Sequence, residues 1–449
     1  MAWLSERLFS TPAVGDRQSI VEKSLKILNG HVIDPANGVD RVCPVYVKDG
    51  RIVSHEPNEA ERIDANGLVV APGLIDIHVH LREPGQSHKE TIASGTRAAA
   101  AGGFTSVVCM PNTFPSVDNP SIVSWIQERA RRTASVNVFC AGAITKGLMG
   151  QELAPIGSMA ETGIVAITDD GFCVQNHGLM RRAIEYARMF GLPILDHCQD
   201  NSLVLGGVIN EGEWSVRLGM QGWPSVGEEL VVERDILLSE LCRHPIHCQH
   251  ISSAGSVRRI REAQKRKIPI SGEVCPHHIF FTDERVAGFD TCFKTNPPIR
   301  SEKDIAAILE GISDGTLNIL CSDHAPHASF EKEVEFDQAP FGITGLETEF
   351  SAFCDLLVHR KRIISLKRLI ALYTLYPARL LHLDRGTLSP GAFADITLID
   401  PNLEWTFHKQ ESLSMSHNTP FDNMTFCGRV VRTLVGGHTV WMLEDNETS

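Results

Sequence analysis

The chain has 449 residues, of which 43% are hydrophobic and 22% charged, and a formal net charge of -13. That length holds a large core, with one big domain beside a small one, and the composition is that of an ordinary globular protein. The acidic balance argues against a nucleic-acid or anionic-membrane partner. No apolar run approaches the ~20 residues needed to span a bilayer.

Residues 1–25 read as an N-terminal extension. Met1 to Asp16 lacks the apolar core and cleavage site of a signal peptide. Residues 26–72 read as the first part of a small β domain. Lys26-Ile27-Leu28, Val45-Tyr46-Val47 and Arg51-Ile52-Val53 are short β elements, and Asp49-Gly50 between two of them signals a hairpin.

From residue 73 to 385 the pattern becomes apolar strand, loop, amphipathic helix, repeated. Eight strands are predicted, at 74–80, 104–110, 136–141, 163–168, 193–197, 245–250, 268–274 and 318–323. Helical stretches such as Glu90 to Ala101 and Leu179 to Met189 lie between them. Eight alternating units predict a closed (β/α)₈ TIM barrel, with a doubly wound open sheet as the alternative. Residues 386–449 return to β character, in Ala394 to Ile399, Val430 to Leu434 and Thr439 to Met442, with a turn at Gly436-Gly437. The simplest arrangement pairs them with 26–72, so that both chain ends build one β-sandwich. The twelve cysteines are scattered without a CxxC pair and read as buried reduced thiols of a cytoplasmic protein.

The chemistry gathers at predicted strand ends. His78 and His80 sit in Asp76-Ile-His-Val-His80. A strand has period two, so both imidazoles face one side, where burial is costly unless something binds them, and a divalent metal does so. Asp169-Asp170 ends the fourth strand, Asp196-His197 the fifth, Gln249-His250 the sixth and Ser322-Asp323 the eighth. In a barrel these ends converge on one face. Taken singly, Asp170 could be a helix cap and each histidine a hydrogen-bonded core residue; jointly they describe a metal-dependent hydrolase.

His78-Val-His80-Leu-Arg82-Glu-Pro-Gly85 resembles the signature of class I dihydroorotases of the amidohydrolase superfamily, as does Cys321-Ser-Asp323-His-Ala-Pro-His327. Met110-Pro-Asn112-Thr, Thr168-Asp-Asp170-Gly, Glu273-Val-Cys-Pro-His-His278, Lys294-Thr-Asn296-Pro-Pro and Ala339-Pro-Phe341-Gly342 follow in family order. The resemblance implies a zinc enzyme with one or two metals, two being expected. It places His78, His80 and Asp323 on the first and His197 and His250 on the second, with Asp170 rather than Asp169 as the bridge. It implies Asp323 as the proton-transferring group and His80, Arg82, Asn112, Asn296, His327, Phe341 and Gly342 as substrate contacts. The implied reaction is the reversible cyclisation of N-carbamoyl-aspartate to dihydroorotate in pyrimidine synthesis. A homo-oligomer is expected, and docking to aspartate transcarbamoylase is left open.

Residues 328–340 read as a polar loop, with a cover over the site as its functional reading. Cys275-Pro-His-His278 lacks a matching second cluster and is not read as a further metal site. The sequence departs from the usual family form at Gln199 and at Gln249. The competing readings are another cyclic amidase, such as an allantoinase or dihydropyrimidinase, and a non-catalytic subunit scaffolding aspartate transcarbamoylase.

Overall fold

The computed structural model describes residues 24–444, so most of the N-terminal extension lies outside the described residues. Eight parallel strands form one sheet: β1 (Leu74–Val79), β2 (Phe104–Cys109), β3 (Asn137–Ala143), β4 (Ala166–Thr168), β5 (Ile194–Asp196), β6 (Ile246–Cys248), β7 (Ile270–Val274) and β8 (Ile319–Leu320). Each falls on its predicted run. The strands pair in sequence order, and the cylinder closes between β1 and the segment after β8. Val79 bridges His324 in parallel, and His80 N–H donates to His324 C=O at 2.8 Å. The expected barrel is present, and the open sheet is not.

These strands are apolar because they are covered on both faces. Ile77, Val108, Phe139, Leu195 and Ile319 form one buried cluster joining β1, β2, β3, β5 and β8. A larger cluster ties the strands to the helices, for example through Ala98 and Ala99 of Ile92–Ala101 and Val123 and Ile126 of Pro120–Thr133. The first of these helices starts at Ile92, two residues inside its predicted stretch, where Thr91 forms a reciprocal capping box with Ser94.

The chain ends build two further sheets. One has four strands in the order Arg51–Val53, Val45–Lys48, Leu25–Leu28, Glu61–Asp64. The other has six, in the order His438–Met442, Thr425–Val435, Ile396–Thr406, Val69–Pro72, His31–Asp34, Val39–Val42. Leu25, Ile27 and Val47 of the first pack against Val70, Ile396, Leu398 and Leu434 of the second in one buried cluster, as a sandwich. The Asp49-Gly50 turn has φ of 50° and 73°, the left-handed pair that a two-residue hairpin requires. The sandwich is anchored to the barrel foot: Thr397 Oγ1 donates to Gly103 C=O, and Thr433 Oγ1 to Ala100 C=O, both at 2.7 Å. Val69–Pro72 pairs with Ile396–Thr406 and continues through Gly73 directly into β1.

Candidate metal centre and active site

The six residues predicted as ligands meet at the C-terminal mouth of the barrel. Asp170 lies at their centre. Its Oδ1 is 3.3 Å from His78 Nε2, 3.6 Å from His197 Nδ1 and 3.8 Å from His250 Nε2, while Oδ2 is 3.5 Å from His80 Nε2. Asp323 Oδ1 reaches His80 Nε2 at 3.1 Å and His78 Nε2 at 3.4 Å. His78, His80 and Asp323 form one compact set of donors; His78, Asp170 and His250 form another. All six residues are buried.

The neighbouring Asp169 does different work. Its carboxylate accepts the Ile144 and Thr145 N–H groups at 2.8 and 2.9 Å and the Thr145 hydroxyl. It staples the β3 loop and leaves Asp170 alone to face the histidines.

The electrostatics favour a cation. Burial pushes His78 down, but Asp170, Asp323 and Glu273 outweigh it and hold the imidazole well above its ordinary value. Burial pushes Asp170 and Asp323 up, and in each case the imidazoles, led by His78, more than reverse the shift. His78 Nε2 is buried, faces both carboxylates and has no hydrogen-bond partner. A buried orphan nitrogen among carboxylates is what an imidazole prepared for a divalent ion presents.

Sequence reasoning missed the role of the groups that aim these ligands, although it names Asn112 as a substrate contact and Gln199 as a departure from the family form. Glu273 Oε1 lies 2.7 Å from His78 Nδ1, and its Oε2 lies 3.1 Å from His247 Nε2. This carboxylate fixes the tautomer that turns His78 Nε2 into the site. Gln199 Oε1 lies 2.8 Å from His197 Nε2, leaving Nδ1 for the centre. Asn112 Oδ1 does the same for His80, at 2.8 Å from Nδ1, while Asn112 Nδ2 reaches Asp170 Oδ2 at 3.4 Å. Backbone strain is a second signal. Arg82, His250 and Asp323 have φ of 61°, 30° and 48°, a region that non-glycine residues rarely occupy outside sites where tertiary structure imposes it.

The comparisons give the family. Residues 67–256 match the model of the dihydro-orotase-like family. A dihydroorotase of Solibacter usitatus (strain Ellin6076) is 48% identical over 92% of this chain and 97% of its own length. One of Pelotomaculum thermopropionicum is 49% identical over 93% and 98%. The chain belongs to the dihydroorotase family. It is therefore an enzyme of the hydrolases that act on cyclic amides. Among solved structures, the L-hydantoinase (dihydropyrimidinase) from Arthrobacter aurescens superposes with a TM-score of 0.84, covering 94% of this chain and 98% of that one at 23% identity. Dihydropyrimidinase from Brevibacillus agri NCHU1002 gives 0.80 at 24% identity, over 93% and 94%. Both share the fold.

Around the centre, this dihydroorotase-family chain gathers the other predicted residues. Arg82 is buried, its Nε donating to Pro326 C=O at 3.1 Å and its Nη2 lying 3.4 Å from His327 Nε2. Burial draws its guanidinium down to about 10, so it remains a cation at neutral pH. Burial and the Arg82 charge push His327 down to about 2, so it is neutral and can donate from Nε2 to Phe341 C=O, 2.8 Å away. Asn296 Nδ2 donates to Gln199 Oε1 at 3.1 Å, and its Oδ1 is buried without a partner. Gly342 already uses both backbone groups, with N–H to Lys294 C=O and C=O from Asn418 Nδ2, each at 3.0 Å. Its φ of 125°, and a Cβ position only 2.7 Å from Ala325 Cβ, exclude a side chain there.

Residues 328–340 contain a short helix, Ser329–Lys332, and a buried Phe336. Lys332 Nζ donates to Thr291 and Pro340 carbonyls at 3.0 and 2.8 Å, and Lys294 Nζ to Asp337 C=O at 2.9 Å. The segment is thus pinned beside the site by two buried lysines.

Proposed function

We propose that the chain is a zinc-dependent dihydroorotase that interconverts N-carbamoyl-L-aspartate and (S)-dihydroorotate plus water in de novo pyrimidine synthesis, in the cytoplasm. The observation that carries this reading is Asp170, one carboxylate within 4 Å of four buried imidazoles contributed by three strand ends. His78, His80 and Asp323 would hold one zinc, His197 and His250 the second, and Asp170 would bridge them. When bound, zinc polarises a carbonyl and lowers the pKa of water toward ~7.

The chain's own groups do the rest. Asp323 accepts the proton of the attacking water at its carboxylate and delivers it to the departing amide nitrogen; in the cyclising direction it moves the proton back. Such general acid–base transfer is worth ~10²–10⁴ in rate. The Nη atoms of Arg82 pair with the substrate carboxylate, joined by Asn112 Nδ2 and by His327, which gives up its Phe341 C=O acceptor to donate Nε2–H there. Asn296 Oδ1 and the Phe341-Gly342 backbone meet the ring amides, with the Phe341 N–H as the donor there because Gly342 is already engaged. The 328–340 segment closes the mouth and keeps bulk water from the reacting amide.

The working division is a barrel at 73–385 and a β domain at 26–72 and 386–449. A homo-oligomer is supported by Val226, Leu230, Leu237 and Leu241, an apolar row on one face of the helix Val226–Cys242 that is between 42% and 60% exposed. Sedimentation of the protein alone, and mixed with aspartate transcarbamoylase, reads both partner expectations.

Purified protein assayed on dihydroorotate, allantoin and dihydrouracil, with its zinc content measured, tests the function. Turnover of only the last two refutes it. A zinc-free, inactive wild type points instead to the scaffold reading, against which the complete ligand set stands.

A further inference from the structure

A second cluster of donors, sharing no residue with the six-residue centre, lies beside it at the end of β7. Cys275, His277 and His278 are all buried, and their donor atoms lie within 4.8 Å of one another. Neither ring nitrogen of His277 has a hydrogen-bond partner, and neither does Nδ1 of His278. Three unpaired buried nitrogens on adjacent residues cost free energy that a fold does not ordinarily leave uncompensated. His278 also carries the tautomer lock of a metal ligand. Its Nε2 lies 3.1 Å from Pro297 C=O, which assigns the proton to Nε2 and leaves the unpartnered Nδ1 with its lone pair available to a cation. The rings of His277 and His278 sit 4.2 Å apart between centroids, tilted by 54°, close enough for one ion to reach both.

We propose that Cys275, His277 and His278 form a separate transition-metal site for a borderline-soft divalent cation of the zinc class. One thiolate with two imidazoles is a donor set that selects zinc or cobalt over magnesium or calcium. Cys275 binds as the thiolate, its proton released to solvent as the S–metal bond forms. The position is structural: the ion would tie the loop after β7 to Pro297 through His278, three residues after Lys294, which anchors the 328–340 segment. The other sulfur-bearing cluster, Cys198, Asp235 and Cys248, is a poorer candidate, because Asp235 Oδ1 already takes Arg234 Nε at 2.8 Å.

The test exploits sulfur. None of the six residues of the main centre is a cysteine, so a near-ultraviolet thiolate-to-cobalt charge-transfer band in the cobalt-loaded full-length protein cannot come from there. The band is expected in the wild type and in Cys198→Ser, and is lost in Cys275→Ser. Zinc content should fall by one equivalent per chain in Cys275→Ser and in His278→Ala. His78→Ala should lose metal from the main centre while keeping the band, which separates failure of this proposal from failure of the main assignment. A wild type without the band, or a Cys275→Ser protein with unchanged band and metal content, overturns it.

Discussion

Glu273→Gln is the sharpest test of how the centre is aimed. Glu273 is fully buried and faces three groups: His78 Nδ1 at 2.7 Å, His247 Nε2 at 3.1 Å and the His250 N–H at 3.2 Å. Burial pushes its carboxyl up, but His78 and His247 hold it below the ordinary range, so it is an anion serving donors on both oxygens. Glutamine keeps the shape and exchanges one oxygen for a donor. One N–H then faces another, which costs about 1–3 kcal/mol of stability. Losing the group that orients a ligating histidine costs about 10–100-fold in metal affinity, or about 1.4–2.8 kcal/mol. The expected outcome is a folded protein, by circular dichroism, whose zinc affinity in a chelator competition falls within that range and whose activity recovers substantially at saturating zinc. A folded variant with wild-type zinc affinity refutes the assignment of Glu273 as the group that sets the His78 tautomer.

Other outcomes follow from the same geometry. His78→Ala and His250→Ala should lose metal and activity together, read by elemental analysis and the dihydroorotate assay. Arg82→Ala should raise KM by about 10²-fold or more, as loss of a charged hydrogen-bonding pair does, with zinc content intact; loss of zinc would contradict its place on the substrate side. Asp169→Ala should lower stability by about 1–3 kcal/mol in denaturant unfolding, because it strands the Ile144 and Thr145 donors, and should leave the zinc content unchanged. Lys332 supplies a pH dependence. Burial lowers it to about 8, against about 10.4 for a free lysine. Below pH 8 it is charged in both states and burial penalises the fold. Between about 8 and 10.4 the unfolded chain binds the extra proton, so this group makes stability rise with pH, by at most about 3 kcal/mol. Lys294, also lowered to about 8, adds to the same slope. Lys332→Met should flatten it in denaturant titrations at pH 7 and 10, and an unchanged slope would refute the role.

The barrel was legible because its strands are buried on both sides and therefore stand out as largely apolar runs, and because the candidate ligands fall at the C-terminal ends of those runs. His78-x-His80 is readable for the same reason: period two turns spacing into direction. The small domain was legible in its hairpin, where Asp49-Gly50 has the chemistry its turn demands. It was not legible in the parallel pairing of His31–Asp34 with Val69–Pro72, since register between distant segments leaves no local trace. The supporting residues were hidden for a related reason. Glu273 and Asn112 act through partners tens to hundreds of positions away, Gln199 acts through a rotamer turned onto His197 two positions before it, and nothing in their immediate sequence marks an acceptor aimed at a ring nitrogen. The helix Ser329–Lys332 leaves no mark in the sequence because four residues carry too little periodicity to register, and its burial of Lys332 is a tertiary effect.

The unbroken run from Val69–Pro72 through Gly73 into β1 makes the histidine-bearing strand an extension of a sheet in which three of the other five members are the last to be made. Pro72 is opposite Ile396, and Gly73 N–H donates to Asp395 C=O at 2.8 Å. A polypeptide leaving the ribosome cannot seat the foot of its first barrel stave until nearly four hundred residues have emerged. Truncation or fusion near the C-terminus therefore acts on the floor beneath His78 and His80, although no terminal residue comes near them in sequence.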